Sequence, residues 1–142
     1  MSSSRLRALG RLERVRERLR DVAAARANVA TAALERAIAK EQEARDELEK
    51  RLDNPPVQIT RAADLVGWDE ERGRALGWIA EAGQLRVAEA KKADVARQEL
   101  NVRERALRVI ERQIAVAQRE RQETLLRDEQ KLADELSGRR NR

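Results

Sequence analysis

Both prolines of this chain are adjacent, Pro55 and Pro56, and they leave 54 residues before them and 86 after them without a single proline. Proline lacks an amide hydrogen and restricts the residue before it, so a helix arriving from the N-terminal side must stop at about Asn54. On either side Ala, Glu, Leu, Arg and Gln dominate, all strong helix formers. This punctuation predicts two long helices and one turn: helix one over about residues 4–53, a connector over 54–69, helix two over about 70–137, and a basic tail at 138–142. Within the connector, Thr60 is expected to cap a short helical turn through Val66 that Gly67 ends. Asp69, with Glu70 and Glu71, is expected to open helix two, and Gly138 to close it.

The helices need a thin seam and no more. Charged residues make up 40% of the chain, aromatic residues 1%, and there is no Phe or Tyr. Much of the apolar remainder is Ala, which buries little area per side chain. Leu12, Val15, Leu19, Val22, Arg26, Val29 and Ala33 follow the 3-4 spacing of a coiled-coil seam. So do Ala93, Ala96, Leu100, Arg103, Leu107, Ile110, Ile114 and Ala117.

If helix two returns along helix one, facing residues have numbers with a constant sum. A sum near 122 joins the two rows, pairing Leu12 with Ile110, Val15 with Leu107, Val22 with Leu100 and Val29 with Ala93. Arg26 then faces Ala96 and Leu19 faces Arg103, with each guanidinium extended to water. The fold expected is all-α, an antiparallel coiled-coil hairpin with a short helical connector. At 1.5 Å per residue the arms are roughly 75 Å and roughly 100 Å long. Helix two therefore overhangs beyond about Arg121, carrying Leu125, Leu126, Leu132 and Leu136 without an internal partner. A second copy of the chain is one way to cover them.

Chemistry is narrowed by what is missing. With no cysteine and no histidine, thiolate nucleophiles, imidazole bases and the common zinc sites are excluded, and a helix-spaced Glu-x-x-His metal set cannot form. We expect no enzyme, no cofactor and no metal. No apolar run reaches signal-peptide or membrane-spanning length, so a cytoplasmic protein without membrane insertion is expected. The Ser- and Arg-rich start through Arg20 is interrupted by Glu13 and Glu17, unlike a transit peptide.

Two regions depart from the repetitive background. Trp68 and Trp78 lie among Gly67, Gly73, Gly77 and Gly83, although a glycine inside a helix costs about 1 kcal/mol relative to Ala. Two readings follow. The glycines let the helices approach while the indoles plug the turn, or the indoles anchor a partner. Charge is the second departure. Residues 1–20 hold seven arginines and two glutamates, and Arg139, Arg140 and Arg142 end the chain, whereas 41–53 hold six acidic and three basic side chains and 64–81 five and two. A body basic at one end and acidic at the other is steered between unlike partners.

Nucleic acid is a rival partner, given a sequence pI near 10.3. Against it, acidic residues intersperse the basic segment, the chain folds back where a basic zipper continues, and no aromatic stacking platform or phosphate-cradling glycine loop is present. No nucleic acid is expected.

The opening Arg5-Leu6 through Arg11-Leu12-Glu13-Arg14-Val15-Arg16-Glu17, the charged second helix, and the ending Arg127-Asp128-Glu129-Gln130-Lys131-Leu132-Ala133-Asp134-Glu135-Leu136 before the terminal arginines together resemble the FliJ/YscO family of stalk proteins in flagellar and injectisome type III secretion. The resemblance implies a two-helix body, similar to that of a rotary ATPase γ subunit, whose basic open end enters the pore of a hexameric export ATPase. It implies an ATPase-side surface of Arg5, Arg7, Arg11, Arg14, Leu125, Leu126, Leu132, Leu136, Arg139 and Arg140. Leu65, Trp68, Leu76 and Trp78 would form a tip surface for the cytoplasmic domain of the membrane-embedded export gate, or for export chaperones. The implied location is cytoplasmic, peripheral at the export apparatus. The alternatives left beside it are a self-associating structural coiled coil and a basic nucleic-acid-binding rod.

Overall fold

The computed structural model describes residues 2–53 and 62–140, and these form two α-helices, α1 (Ser2–Asp53) and α2 (Ala62–Arg140). No strand occurs among the described residues. The protein is an all-α helical hairpin, as expected. Asn54, Pro55, Pro56 and Thr60 lie outside the described residues.

The second helix is longer than its punctuation predicts. It begins at Ala62 instead of residue 70, so Gly67 and Asp69 are helical and do not mark a break. Asp64 supplies the acidic residue of the first turn, where a carboxylate complements the helix dipole. One glycine is too small a penalty to stop a helix flanked by strong helix formers. Gly138 likewise lies inside α2, whose last turn carries Arg139 and Arg140, favourable cations at a helix C-terminus.

The chain divides into two compact units, Ala23–Glu99, and Met1–Val22 with Leu100–Arg142. In the first, the buried apolar residues are all alanines: Ala23, Ala27 and Ala37 of α1, Ala75 and Ala93 of α2. Such a seam contributes little apolar area per layer. Glu41 is buried in the same row. Arg45 Nη2 donates to its Oε1 at 2.8 Å, and Arg86 Nε of α2 donates to its Oε2. A buried carboxylate held by cations from both helices is costly to misplace, and so it favours one register over its neighbours.

In the second unit, Leu107, Ile110 and Ala117 of α2 are buried, and Leu100, Arg103 and Ile114 are half-buried. The expected α2 seam is therefore the observed one.

The α1 seam is not the one expected. Leu12, Val15, Leu19, Val22, Arg26 and Val29 are exposed. The protected row is offset by one residue: Leu6, Glu13, Arg16 and Arg20 in one unit, and Ala23, Ala27, Leu34, Ala37, Glu41, Ala44 and Leu48 in the other. The reason lies in the half of α1 nearest the connector. Continued at the same spacing, the expected row meets Arg36, Lys40, Glu43, Glu47 and Lys50, five charges in succession. The offset row meets Leu34, Ala37, Ala44 and Leu48 with Glu41 as its one charge, and burying four apolar groups beats desolvating five ions.

The register moves with the seam. In one unit Arg5 pairs with Glu120 at 3.9 Å, residues whose numbers sum to 125. In the other, Arg26 pairs with Glu99 at 3.5 Å and Glu41 with Arg86, giving 125 and 127. The expected pairings at 122, Leu12 with Ile110 and Val15 with Leu107 among them, are replaced.

Candidate protein-interaction surfaces

In the unit formed by Met1–Val22 and Leu100–Arg142 the α1 segment starts at Ser2, and Ser4, Arg5 and Ala8 line a groove with Ala117, Glu120, Arg121 and Thr124. Beyond Ala117, every described residue of α2 is exposed. Leu125, Leu126, Leu132 and Leu136 are each more than half exposed. Leu125, Leu132 and Leu136 recur at intervals of seven and four, which places them along one side of the helix. Glu129 fills the intervening position.

Arg5, Arg7, Arg11 and Arg14 are exposed, as are Arg139 and Arg140. Arg7, Arg11 and Arg14 line a second groove with Ser4 and Gly10. Arg7 Nε donates to the Ser3 carbonyl at 3.4 Å. Arg20 Nη2 and Nε donate to Asp21 Oδ1 at 2.8 and 3.1 Å. That hydrogen bond, followed by the charge of Asp21, raises the Arg20 guanidinium above its ordinary value. The residues assigned to the ATPase side by resemblance thus belong to one unit and present guanidinium groups and leucines to solvent.

The tip residues belong to the other unit. Leu65, Leu76 and Trp78 are about half exposed and Trp68 is half-buried. The Arg51 guanidinium of α1 lies over the Trp78 ring, 5.9 Å from its centroid, a cation–π distance. Trp78 is held from one side and open on another. The expectation that the glycines mark close helix approach fails at three of four positions. A Cβ at Gly67, Gly73 or Gly77 would meet nothing within 4 Å, and only Gly83 lies near a neighbour, the Glu41 Oε1 at 3.8 Å.

A stability test follows. No described glycine has a positive φ, so Gly73→Ala and Gly77→Ala relieve a helical penalty without a clash. Each is expected to stabilise the protein by about 1 kcal/mol, read from the midpoint of urea unfolding. A destabilised variant would show that the glycines make room for something.

Two features escaped the sequence reading. One is the Glu41–Arg86 pair, invisible until the register is known. The other is a second apolar row on α2, Val95, Val102, Val109 and Val116, each about half exposed or more. Its signal was present as valine at every seventh position, one residue before the seam.

Among the described residues no group of three or more acidic side chains is arranged to hold a metal ion, and no helix is long and apolar enough to cross a membrane. Compared with protein-family models, curated proteins and solved structures, the chain matches none.

Proposed function

We propose that this chain is a non-catalytic stalk of a type III protein export apparatus, entering a hexameric export ATPase with its basic open end and linking that ring to the export gate or to chaperones. The observation that carries the reading is the inequality of the arms, 52 residues in α1 against 79 in α2. It leaves a single helix with solvent-facing Leu125, Leu126, Leu132 and Leu136 beyond the paired segment. A lone amphipathic helix does not bury its leucines by itself, so the stripe calls for a surface from outside the chain. The clustered arginines beside it favour an acidic or carbonyl-lined surround, and the resemblance of the opening and ending segments to stalk proteins names one. In this role the chain transmits the state of the ring and hydrolyses nothing.

The test is binding of the purified export ATPase of the source organism to the full chain and to a truncation ending at Thr124. The full chain is expected to bind and to promote ring assembly. The truncation should lose at least about tenfold in affinity while keeping its helical signal per residue. Equal binding by both forms, or by neither, would remove the ATPase reading.

The same stripe supports a second reading, a coiled coil that covers its leucines with another copy of itself. Sedimentation equilibrium of the two forms separates them. A dimer of the full chain that the truncation abolishes, without ATPase binding, would favour the structural role.

A further inference from the structure

We infer that the overhanging part of α2 docks a partner helix that is apolar at its contact face and supplies a cation to Glu129. The face to be covered consists of Leu125, Leu126, Leu132, Ala133 and Leu136, all exposed and the leucines each by more than half. Glu129 stands in their midst. Leu125 and Leu126 precede it by four and three residues, and Leu132 and Ala133 follow it by three and four. Residues at these separations are neighbours on one helix surface. A helix that covers the leucines therefore covers the carboxylate as well.

That carboxylate has no cation of its own. Among the described residues Glu129 makes no hydrogen bond or ion pair. Arg127 and Lys131, two residues away, lie on the opposite side of the helix. Arg121 and Arg139 share its side but stand eight and ten residues off, about 12 and 15 Å along the axis. An unpaired carboxylate is costly to take out of water, so a wholly apolar cover is opposed by the residue at its centre. The chain meets the same problem inside its own seam. Buried Glu41 receives Arg45 from its own helix, four residues on, and Arg86 from the facing helix. Four residues after Glu129 stands Ala133, so its cation has to come from the partner.

A second copy is the wrong cover. Parallel pairing sets Glu129 against Glu129. Antiparallel pairing that matches Leu125 with Leu136 sets Glu129 against Leu132, and brings Asp128 of each copy beside Glu135 of the other. The antiparallel register that offers Arg139 to Glu129 sets the two Glu135 side chains against each other. Asp128 and Glu135 edge the leucine face on the side of Leu132 away from Glu129, and both are exposed. A helix with one cation inside its apolar contact face and lysine or arginine along one flank meets all three carboxylates, the complementarity that fixes partner and register between helices.

The inference rests on the leucine stripe that also carries the stalk reading, but its test uses no ATPase, so each can fail alone. The probe is a fluorescent three-heptad peptide with leucine at its seam positions, except for one central arginine, and lysine at the flanking ones, so that its own copies repel. A twin differs only in carrying glutamate in place of that arginine. We expect the arginine peptide to bind the full chain saturably, more weakly as salt rises, and the glutamate twin to bind at least about tenfold less tightly. Glu129→Arg should reverse the order of the two peptides, and Leu132→Glu should weaken both. Each variant lies on an exposed stretch of α2 and should keep its helicity and melting temperature.

Equal binding of the two peptides, binding of neither, or an order that Glu129→Arg leaves unchanged would overturn the proposal. So would undiminished binding by Leu132→Glu, since the peptide would then sit elsewhere on the chain. A dimer of the full chain that Leu132→Glu abolishes, without peptide binding, would give the stripe to a second copy.

Discussion

Leu107→Asp is expected to unfold the paired part of the unit that contains it. Leu107 is 4% exposed, in a row whose other large members are Leu100, Ile110 and Ile114. Removing a buried leucine costs about 2–5 kcal/mol through lost burial and the space left behind. The carboxylate replacing it is either desolvated or forces the helices apart. Net stabilities of small domains are about 5–15 kcal/mol, so a cost of this size removes much of the margin. Far-UV circular dichroism should therefore show a large loss of helix at ambient temperature, or a melting midpoint lowered far more than by any surface change. Trp78→Ala is the control. Trp78 is about half exposed and touched by Arg51, a contact worth about 0.5–1 kcal/mol at such a site. It should leave helicity intact while weakening any partner that uses the tip. Losing as much helix as Leu107→Asp would make the indole a structural plug.

The difference between these two side chains shows what the sequence made legible. In α2, Leu100, Leu107, Ile110 and Ile114 are the large members of a row with unbroken 3-4 spacing, and a row of large residues has one place to go. In α1 the large residues misled. Leu12, Val15, Leu19 and Val22 form as good a row by spacing, but the helix presents the face that stays apolar near the connector, and there Ala37 and Ala44 outweigh a row continuing into Arg36 and Lys40. Small side chains contribute little each, so their preference is visible only when the whole length of α1 is weighed at once.

The register error has the same origin, since a seam displaced by one residue turns α1 by about 100° and changes which residues meet α2. Once that rotation is known, Arg5 finds Glu120 and Glu41 finds Arg86. The candidate surfaces divided along the same line. Exposure of Leu125, Leu132 and Leu136 followed from counting residues in the two arms, and it survived the change of register because the arms remain unequal by 27 residues. The Leu12–Val22 row could not be read as a surface while it was assigned to the interior.

Ala37→Asp and Val29→Asp decide which face of α1 is the interior. In the observed packing Ala37 is 2% exposed and Val29 is 68% exposed, whereas the row read from spacing alone buries Val29 and leaves Ala37 outside it. An aspartate at position 37 enters an alanine seam four residues before buried Glu41, whose carboxylate already engages Arg45 and Arg86. Like charges at that helical spacing repel, and a desolvated carboxylate without its own partner adds to the cost. A loss of about 3 kcal/mol is expected for Ala37→Asp. Val29→Asp, on an open face, should stay within about 0.5 kcal/mol of the parent. Chemical denaturation of the two variants measures the contrast directly. The reverse order, with Val29→Asp the damaging change, would return α1 to the face chosen by its largest side chains, and it would turn the Leu12–Val22 row inward.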